Sequence, residues 1–324
     1  MRTPTDVDMP QPQRAMRVAL IVPVRNGGEV WRSAAAAVRA QSRQPDRLLV
    51  VDSESTDGSD EVARTCGFEV VSIAMRDFDH GGSRQMAAEH CGDCDLLVYL
   101  THDAVLADSE ALRRLLRAFD DPQVAVAYGR QLPRREAGPI EAHARLFNYP
   151  QQSATRTLGD VAALGMKAAF TSDSYCAYRR PDLMGVGGFP LRTIVSEDMI
   201  VAARVLQAGR AIAYVGDSCV VHSHGYTTAQ EFRRYFDVGV LHREHAWLLE
   251  AFGKPEGEGM RFVRSEVRYL LRHAPWLIPL SGVRTMVKYL GYKTGQHAPW
   301  LPQAWLRHFS MQPSYWGARH PAAE

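Results

Sequence analysis

Three stretches of this sequence place ionisable side chains where chemistry can occur. Asp103 follows the apolar run Leu96-Leu97-Val98-Tyr99-Leu100, which reads as a short buried strand. A carboxylate just past such a strand sits where open α/β sheets hold their ligands; read alone, it serves equally well as a helix cap or turn residue. Glu197-Asp198 opens a helical pattern. A helix N-terminus favours an ionised carboxylate, and a positioned ionised carboxylate suits a general base. An ordinary first-turn acid pair reads the same way. His222-Ser223-His224 follows the strand-like Cys219-Val220-Val221, and alternation puts both imidazoles on one side. Either ring could complete a metal site with Asp103, or simply bind backbone carbonyls. A carboxylate, an imidazole, water and phosphate oxygens suit Mn²⁺ or Mg²⁺ better than structural Zn²⁺.

The elements that must position these groups alternate along the chain. Val18 to Val24, Leu48 to Val51 (ending on Asp52), Glu69 to Ile73, Leu96 to Leu100 and Val124 to Tyr128 read as strands. Between them, helical patterns run from Val30 to Gln41, from about Ser59 to Thr65, from Ser83 to Glu89, and after a Ser109 cap. Such alternation predicts βαβ units and a mostly parallel sheet flanked by helices. Right-handed crossovers then bring Asp52 and Asp103 to the same sheet edge. From Arg130 to Gly165 the pattern is irregular and reads as a loop with partial helix. Phe170 to Tyr178 reads as extended, Arg180 to Gly185 as a short helix, and Gly187-Gly188-Phe189-Pro190 as a tight turn. Ser196 is expected to cap a helix reaching Ala208. Ala211–Val215 and Cys219–Val221 are expected as strands, and Thr228 to Phe252 as one long helix.

The bulk properties exclude several classes. The chain has 324 residues, 46% hydrophobic and 23% charged, with a net charge of +2. That is globular and too balanced to imply nucleic-acid binding. Five cysteines, odd in number and scattered, point to a reducing cytoplasm. Cys91-Gly92-Asp93-Cys94 has no second pair at metal spacing, which argues against zinc. Residues 1–15 read as a disordered tail without the apolar core of a signal peptide. No run reaches the roughly 18 apolar residues of a membrane span. There is no phosphate loop of Walker type, and Arg25-Asn26-Gly27-Gly28 lacks a dinucleotide fingerprint.

Read together, the motifs become specific. Leu20-Ile21-Val22-Pro23-Val24-Arg25-Asn26, followed by Val50-Val51-Asp52-Ser53-Glu54-Ser55-Thr56-Asp57-Gly58-Ser59, resembles the opening of the family 2 inverting glycosyltransferases. Phe170 to Arg180 and Gly187-Gly188-Phe189 resemble the segment that precedes their Glu-Asp pair, here Glu197-Asp198. Phe78-Asp79-His80-Gly81-Gly82-Ser83-Arg84 and Thr101-His102-Asp103-Ala104 are similar to segments of bacterial rhamnosyltransferases that use dTDP-L-rhamnose. So are Tyr235 to Gly239, Lys288 to Lys293 and Ser310 to Trp316, which extends the resemblance nearly to the C-terminus.

The resemblance implies an α/β fold of the GT-A type. Residues 16–225 would be catalytic, with a nucleotide-sugar half over about 16–130 and an acceptor half over 131–225. Residues 226–324 would be a helical extension. It implies that Asp198 deprotonates the acceptor hydroxyl and that Asp52 binds base or ribose. Asp103, with His222 or His224, would hold Mn²⁺ or Mg²⁺ on the donor phosphates. His80 and Arg84 would lie near the donor, and Pro23, Arg25, Ser55, Gly81, Asp173 and Glu197 would complete the substrate site. The family's Asp-x-Asp is reduced here to Asp103, so the ion is expected to bind weakly until the donor arrives. The Gln-x-x-Arg-Trp motif of processive members is absent, which implies that one or a few sugars are added. Transfer of another sugar, or a non-catalytic scaffold with a degraded site, are the alternatives.

The tail suggests where the acceptor resides. Arg261, Arg264, Arg268 and Arg272 share one helical face, and Trp276, Trp300, Trp305 and Trp316 follow among further basic residues. Basic residues mixed with Trp suit a lipid headgroup region. The expectation is a cytoplasmic enzyme, peripheral on the inner face of the plasma membrane, acting on a lipid-linked or growing glycan.

Overall fold

The computed structural model describes residues 16–253 and 256–317; the expected tail over residues 1–15 lies outside them. In chain order the main elements are β1 (Val18–Val24), α1 (Gly28–Arg39), β2 (Arg47–Asp52), α2 (Ser59–Thr65), β3 (Glu69–Ser72), α3 (His80–His90), β4 (Leu96–Leu100), β5 (Val105–Leu106), α4 (Ala111–Arg117) and β6 (Val124–Leu132). Then come α5 (Pro139–Asn148), β7 (Ala154–Arg156), α6 (Val161–Leu164), β8 (Tyr175–Arg179), α7 (Arg180–Gly185), α8 (Glu197–Gln207) and β9 (Ala211–Val221). The last helices are α9 (Thr228–Glu244), α10 (Ala246–Phe252), α11 (Glu256–His273), α12 (Ile278–Gln296) and α13 (Gln303–Phe309).

One sheet runs in the order β3-β2-β1-β4-β8-β6-β9-β5, with β7 added on β9. β1, β2, β3 and β4 pair in parallel, as do β6 and β9. β8 is inserted antiparallel between β4 and β6, which leaves those two pointing the same way. The main strands therefore end on one edge, and Asp52 and Asp103 share it as expected. Both faces are covered, so the strands read as near-continuous apolar runs. Leu20, Val22, Leu96 and Val98 pack under Trp31, Ala34 and Val38 of α1 and under α4. Ala19, Ile21, Leu97 and Tyr99 pack against Ala87 of α3 and against α8 and α9.

Several local expectations change. α4 starts at Ala111, and the Asp108 carboxylate, not Ser109, accepts a hydrogen bond from the loop before it, at the Glu110 N–H. Ser196 precedes α8 but makes no capping bond, because its backbone is left-handed at φ +60°. The stretch after 130 is more ordered than its composition suggests: β6 continues to Leu132, and α5 and β7 follow. β8 begins only at Tyr175, after a turn closed by Tyr175 N–H to Ser172 O. The two expected late strands are one, β9, whose register with β6 shifts at Gly129/Arg130. The long helix breaks at His245 into α9 and α10.

α9 carries the C-terminal helices onto the sheet. It starts from a Thr227/Gln230 capping box. α12 crosses it so closely that Gly291 and Gly295 lie on the Phe232 and Phe236 carbonyls, where a Cβ would collide. Among the described residues no helix is long and apolar enough to cross a membrane.

Candidate active site

The sheet edge holds two carboxylate clusters. The first forms around Asp103. The turn after β4 closes with Ala104 N–H on Thr101 O, and β5 then pairs antiparallel with the end of β9, Val105 opposite Val221. That register sets Asp103 beside the residues following β9. Asp103 Oδ1 is 3.3 Å from His222 Nε2, and Oδ2 is 3.8 Å from His224 Nε2. One ligand atom from each of the three lies within 4.8 Å of the others. His222 is buried, and its Nδ1 lies 3.0 Å from Gln131 Oε1 on β6. Gln131 also binds Ser172 Oγ and accepts from Arg145. A hydrogen bond to the far ring nitrogen, of this kind, fixes which nitrogen faces a metal.

Charge is arranged to keep this cluster ready for a cation. Burial favours the neutral Asp103, but the His222 hydrogen bond and the neighbouring imidazoles outweigh it and hold the carboxyl far below its usual range. Burial lowers His224 to about 4, with help from His222, so the ring is a neutral donor at physiological pH. The Arg134 guanidinium lies 3.6 Å from Asp103 Oδ2 and supplies partial counter-charge. An ionised carboxylate and two imidazoles at converging distances fit a divalent cation. Two nitrogens favour Mn²⁺ over the oxygen-seeking Mg²⁺.

The second cluster surrounds Arg84. Asp79 caps α3 by accepting from Gly82 N–H at 2.7 Å. Gly81 lies against the Pro190 carbonyl, where no Cβ would fit. This contact seats α3 against the loop before α8. Arg84 is buried; its Nη1 lies 2.9 Å from Glu197 Oε1, and its Nε lies 2.8 Å from Asp173 Oδ2 as an ion pair off the hydrogen-bond line. Asp198 Oδ2 accepts from the Asp173 N–H at 3.1 Å, and Tyr178 donates to Asp173 Oδ1 at 2.6 Å. Asp173 and Glu197 therefore pair with one guanidinium, and Asp198 is bonded to the backbone beside them. Burial, then the neighbouring carboxylates, push Asp173 up in spite of Arg84. Burial and Glu197 push Asp198 up. Burial works against Glu197 too, yet Arg84 holds its carboxyl below the ordinary value. Asp198 is half-buried, so it alone of the three keeps access to solvent.

The remaining expected residues occupy the same edge. Asp52 is buried; its Oδ2 accepts from Ser55 N–H at 3.1 Å, while its buried Oδ1 has no hydrogen-bond partner among the described residues. An orphaned buried oxygen of this kind calls for a donor group. Ser55 Oγ accepts from Asn26 N–H, and Asn26 Oδ1 accepts from Thr56 N–H, which ties the loop after β1 to the loop after β2. Arg25 is exposed on that loop, and Pro23 is partly buried within β1. His80 lies at the start of α3, where burial lowers its pKa below the ordinary value.

Some residues at the site carried no sequence signal. Gln131 and Arg134 come from β6 and just beyond it, in a stretch read as irregular. Gln312 Nε2 lies 3.1 Å from His80 Nε2, a contact in which the amide donates to a neutral ring. Gln312 arrives there because buried Asp237 of α9 accepts from Ser310 Oγ and Met311 N–H, pinning the segment after α13. The Ser310 to Trp316 motif was visible, but its partner was not. Gln85, next to Arg84, is structural: its Oε1 accepts from Phe189 N–H and holds the glycine turn. Cys91 and Cys94 are buried free thiols pushed up by burial, Cys91 to about 11, which fits core packing. A cavity of about 490 Å³ lined by Arg114, Tyr214 and Asp217 lies toward the other end of β9 and contains none of these acids.

The mostly parallel sheet, flanked by helices and followed by a C-terminal helical region, is the GT-A architecture. The family model described as glycosyl transferase family 2 matches residues 19–187, more than half of the chain; the protein belongs to this family and is a glycosyltransferase. It is 43% identical over 302 residues to the O-antigen chain rhamnosyltransferase RfbN of Salmonella typhimurium (strain LT2), covering 93% of this chain and 96% of that one. It is 44% identical over 298 residues to the O-antigen chain rhamnosyltransferase WbaN of Salmonella anatum, covering 92% and 95%. Among solved structures it resembles the mannosyltransferase PcManGT from Pyrobaculum calidifontis in complex with GDP-Man and Mn²⁺. The TM-score is 0.56 and the identity 20%, over 97% of this chain and 88% of that one.

Proposed function

We propose that the protein is an inverting rhamnosyltransferase that moves L-rhamnose from dTDP-L-rhamnose to a hydroxyl of a lipid-linked or growing cell-surface glycan at the inner face of the plasma membrane. One observation carries the choice of sugar: the similarity to two O-antigen chain rhamnosyltransferases spans more than nine-tenths of the chain. The geometry supports the reaction class.

Asp198 is the proposed base. Its carboxylate takes the acceptor's hydroxyl proton as the acceptor oxygen bonds to the anomeric carbon and the bond from that carbon to the diphosphate breaks. A base opposite the leaving group makes this one in-line displacement, which inverts the anomeric centre. The crowding that raises Asp198 also makes it a better proton acceptor than an ordinary carboxylate. Glu197 and Asp173 keep Arg84 fixed beside it. Asp52, with its unpartnered oxygen, Ser55, Pro23 and Arg25 form the proposed nucleoside end, and His80, Gly81 and Arg84 the sugar end. Asp103, His222 and His224 would hold Mn²⁺ in preference to Mg²⁺. A cation there supplies neutralisation of the departing diphosphate charge.

The test is release of dTDP from dTDP-L-rhamnose by the purified protein with Mn²⁺ and a lipid-linked glycan acceptor, with the product's anomeric configuration read by NMR. Release should require the acceptor, and the configuration should invert. Asp103→Ala should weaken Mn²⁺-dependent donor binding at least about 100-fold, given that such a cation contributes several kcal/mol. Faster turnover of another sugar nucleotide would overturn the donor assignment. Donor binding without any transfer would establish the scaffold reading instead.

A further inference from the structure

The C-terminal helices present a surface that this chemistry does not use. α12 turns two of its cations inward: Arg284 Nε is 2.7 Å and Lys288 Nζ 3.2 Å from the carboxylate of Glu231 on α9. Its outward face is apolar. Val283, Met286 and Leu290, at helical spacing, are 55%, 59% and 50% exposed. Leu280 and Tyr289 flank them and are also exposed. Trp276, in the turn that leads from α11, is 72% exposed. A contiguous apolar face on a soluble helix marks an interaction site.

The neighbouring helix identifies the partner. α11 packs on α12 through a buried Ser281 to Glu266 hydrogen bond. Arg261, Arg264, Arg268 and Arg272 all lie on its exposed side. Of these, only Arg261 has an ion pair among the described residues, with Glu258. Residues 256–317 hold eight Lys and Arg against three Asp and Glu. A second copy of this chain would set arginine row against arginine row. An anionic bilayer offers headgroup charge to the arginines and hydrocarbon to the stripe.

We propose that the outward face of α12, with Trp276 and the arginine row of α11, docks the protein flat on an anionic lipid bilayer. This rests on the membrane-glycan reading above and specifies the surface that realises it. The docked helix also reaches the site: Arg284 Nη2 donates to the Tyr226 carbonyl at 2.7 Å, and the Tyr226 ring packs on His224. A lipid-linked acceptor would therefore meet the metal cluster close to the bilayer surface.

The test is flotation of the full chain with phosphatidylglycerol/phosphatidylethanolamine vesicles and with neutral phosphatidylcholine vesicles. The wild type should float with the anionic vesicles at low salt and be released by high salt. Met286→Glu/Leu290→Glu should reduce the bound fraction about tenfold or more. Turnover of a detergent-dispersed acceptor should stay at the wild-type level, because these side chains face solvent. Equal flotation of variant and wild type, or no anionic-lipid binding by the wild type, overturns the proposal. So does a dimer that the double substitution dissociates, since the face would then belong to a second copy. Flotation without transfer would sink the activity and leave docking standing; transfer without flotation would do the reverse.

Discussion

The two clusters at the sheet edge solve opposite electrostatic problems. Around Asp103 a single carboxylate faces two imidazoles and Arg134, so its negative charge is stabilised. Around Arg84 one guanidinium faces Asp173, Glu197 and Asp198, so negative charge is in excess. The first arrangement is ready to accept a cation, the second a proton. Each is held by bonds from a different strand or helix. Gln131 of β6 orients His222, while Gly81, Tyr178 and the left-handed Ser196 fix the second cluster. The two halves of the proposed reaction, departure of the diphosphate and deprotonation of the acceptor, are thus assigned to environments of opposite charge bias.

The sharpest break of this contrast is Asp198→Asn. It removes the proposed base at nearly constant shape, and turnover should fall roughly 10³-fold, within the range of general-base contributions. Donor affinity, measured by calorimetry, should be unchanged. Retention of full turnover would remove Asp198 from the chemistry.

Arg84→Met tests the excess of negative charge directly. Asp173 and Glu197 would be left buried without their counter-ion, at a cost of about 3–5 kcal/mol. The urea midpoint reports it. A variant as stable as the wild type would mean that the cluster does not depend on its guanidinium.

Gln131→Ala acts on the other cluster. Loss of the bond to His222 should lower Mn²⁺ affinity roughly 10–100-fold, read by titration of the donor-bound protein, without altering the pH profile of turnover. An unchanged affinity would mean that His222 does not need orienting.

The smallest effect is in the pH profile. Asp198 is raised above the carboxylate value of 3.8 and faces Glu197, Arg84, Asp173, Tyr149, Tyr178 and Cys176. A base works ionised, so kcat/KM should fall as pH drops through that raised value. Glu197→Gln deletes a like charge and frees Arg84 to attract Asp198, which should move the acid limb to lower pH by up to about one unit. A shift to higher pH would contradict the charge-excess account.

Much of this was legible in residue order. β1, β2 and β4 declared themselves because burial on both faces requires unbroken apolar runs, and α2 and α7 by their flanking glycine and proline signals. Asp52, Asp103 and Glu197-Asp198 stood out because each directly follows or opens such an element. Ser196 misled, because a capping residue type says nothing about whether its backbone is left-handed. The end of β6 beyond Tyr128, α5 and β7 were obscured because their partners, β9 and α11, are distant in sequence.

The sequence alone therefore determined the β/α alternation, the family and the acids at the strand ends, since these depend on periodicity and near neighbours. Only the tertiary structure decided that β8 enters antiparallel and that β5 pairs with β9, bringing both His222 and His224 to Asp103. It alone joined Arg84 to Asp173 and Glu197, Gln312 to His80, and turned Arg284 and Lys288 of α12 inward so that its apolar face looks out. These contacts link residues far apart in the chain, and their energies come from burial and pairing that exist only once the sheet has closed its order.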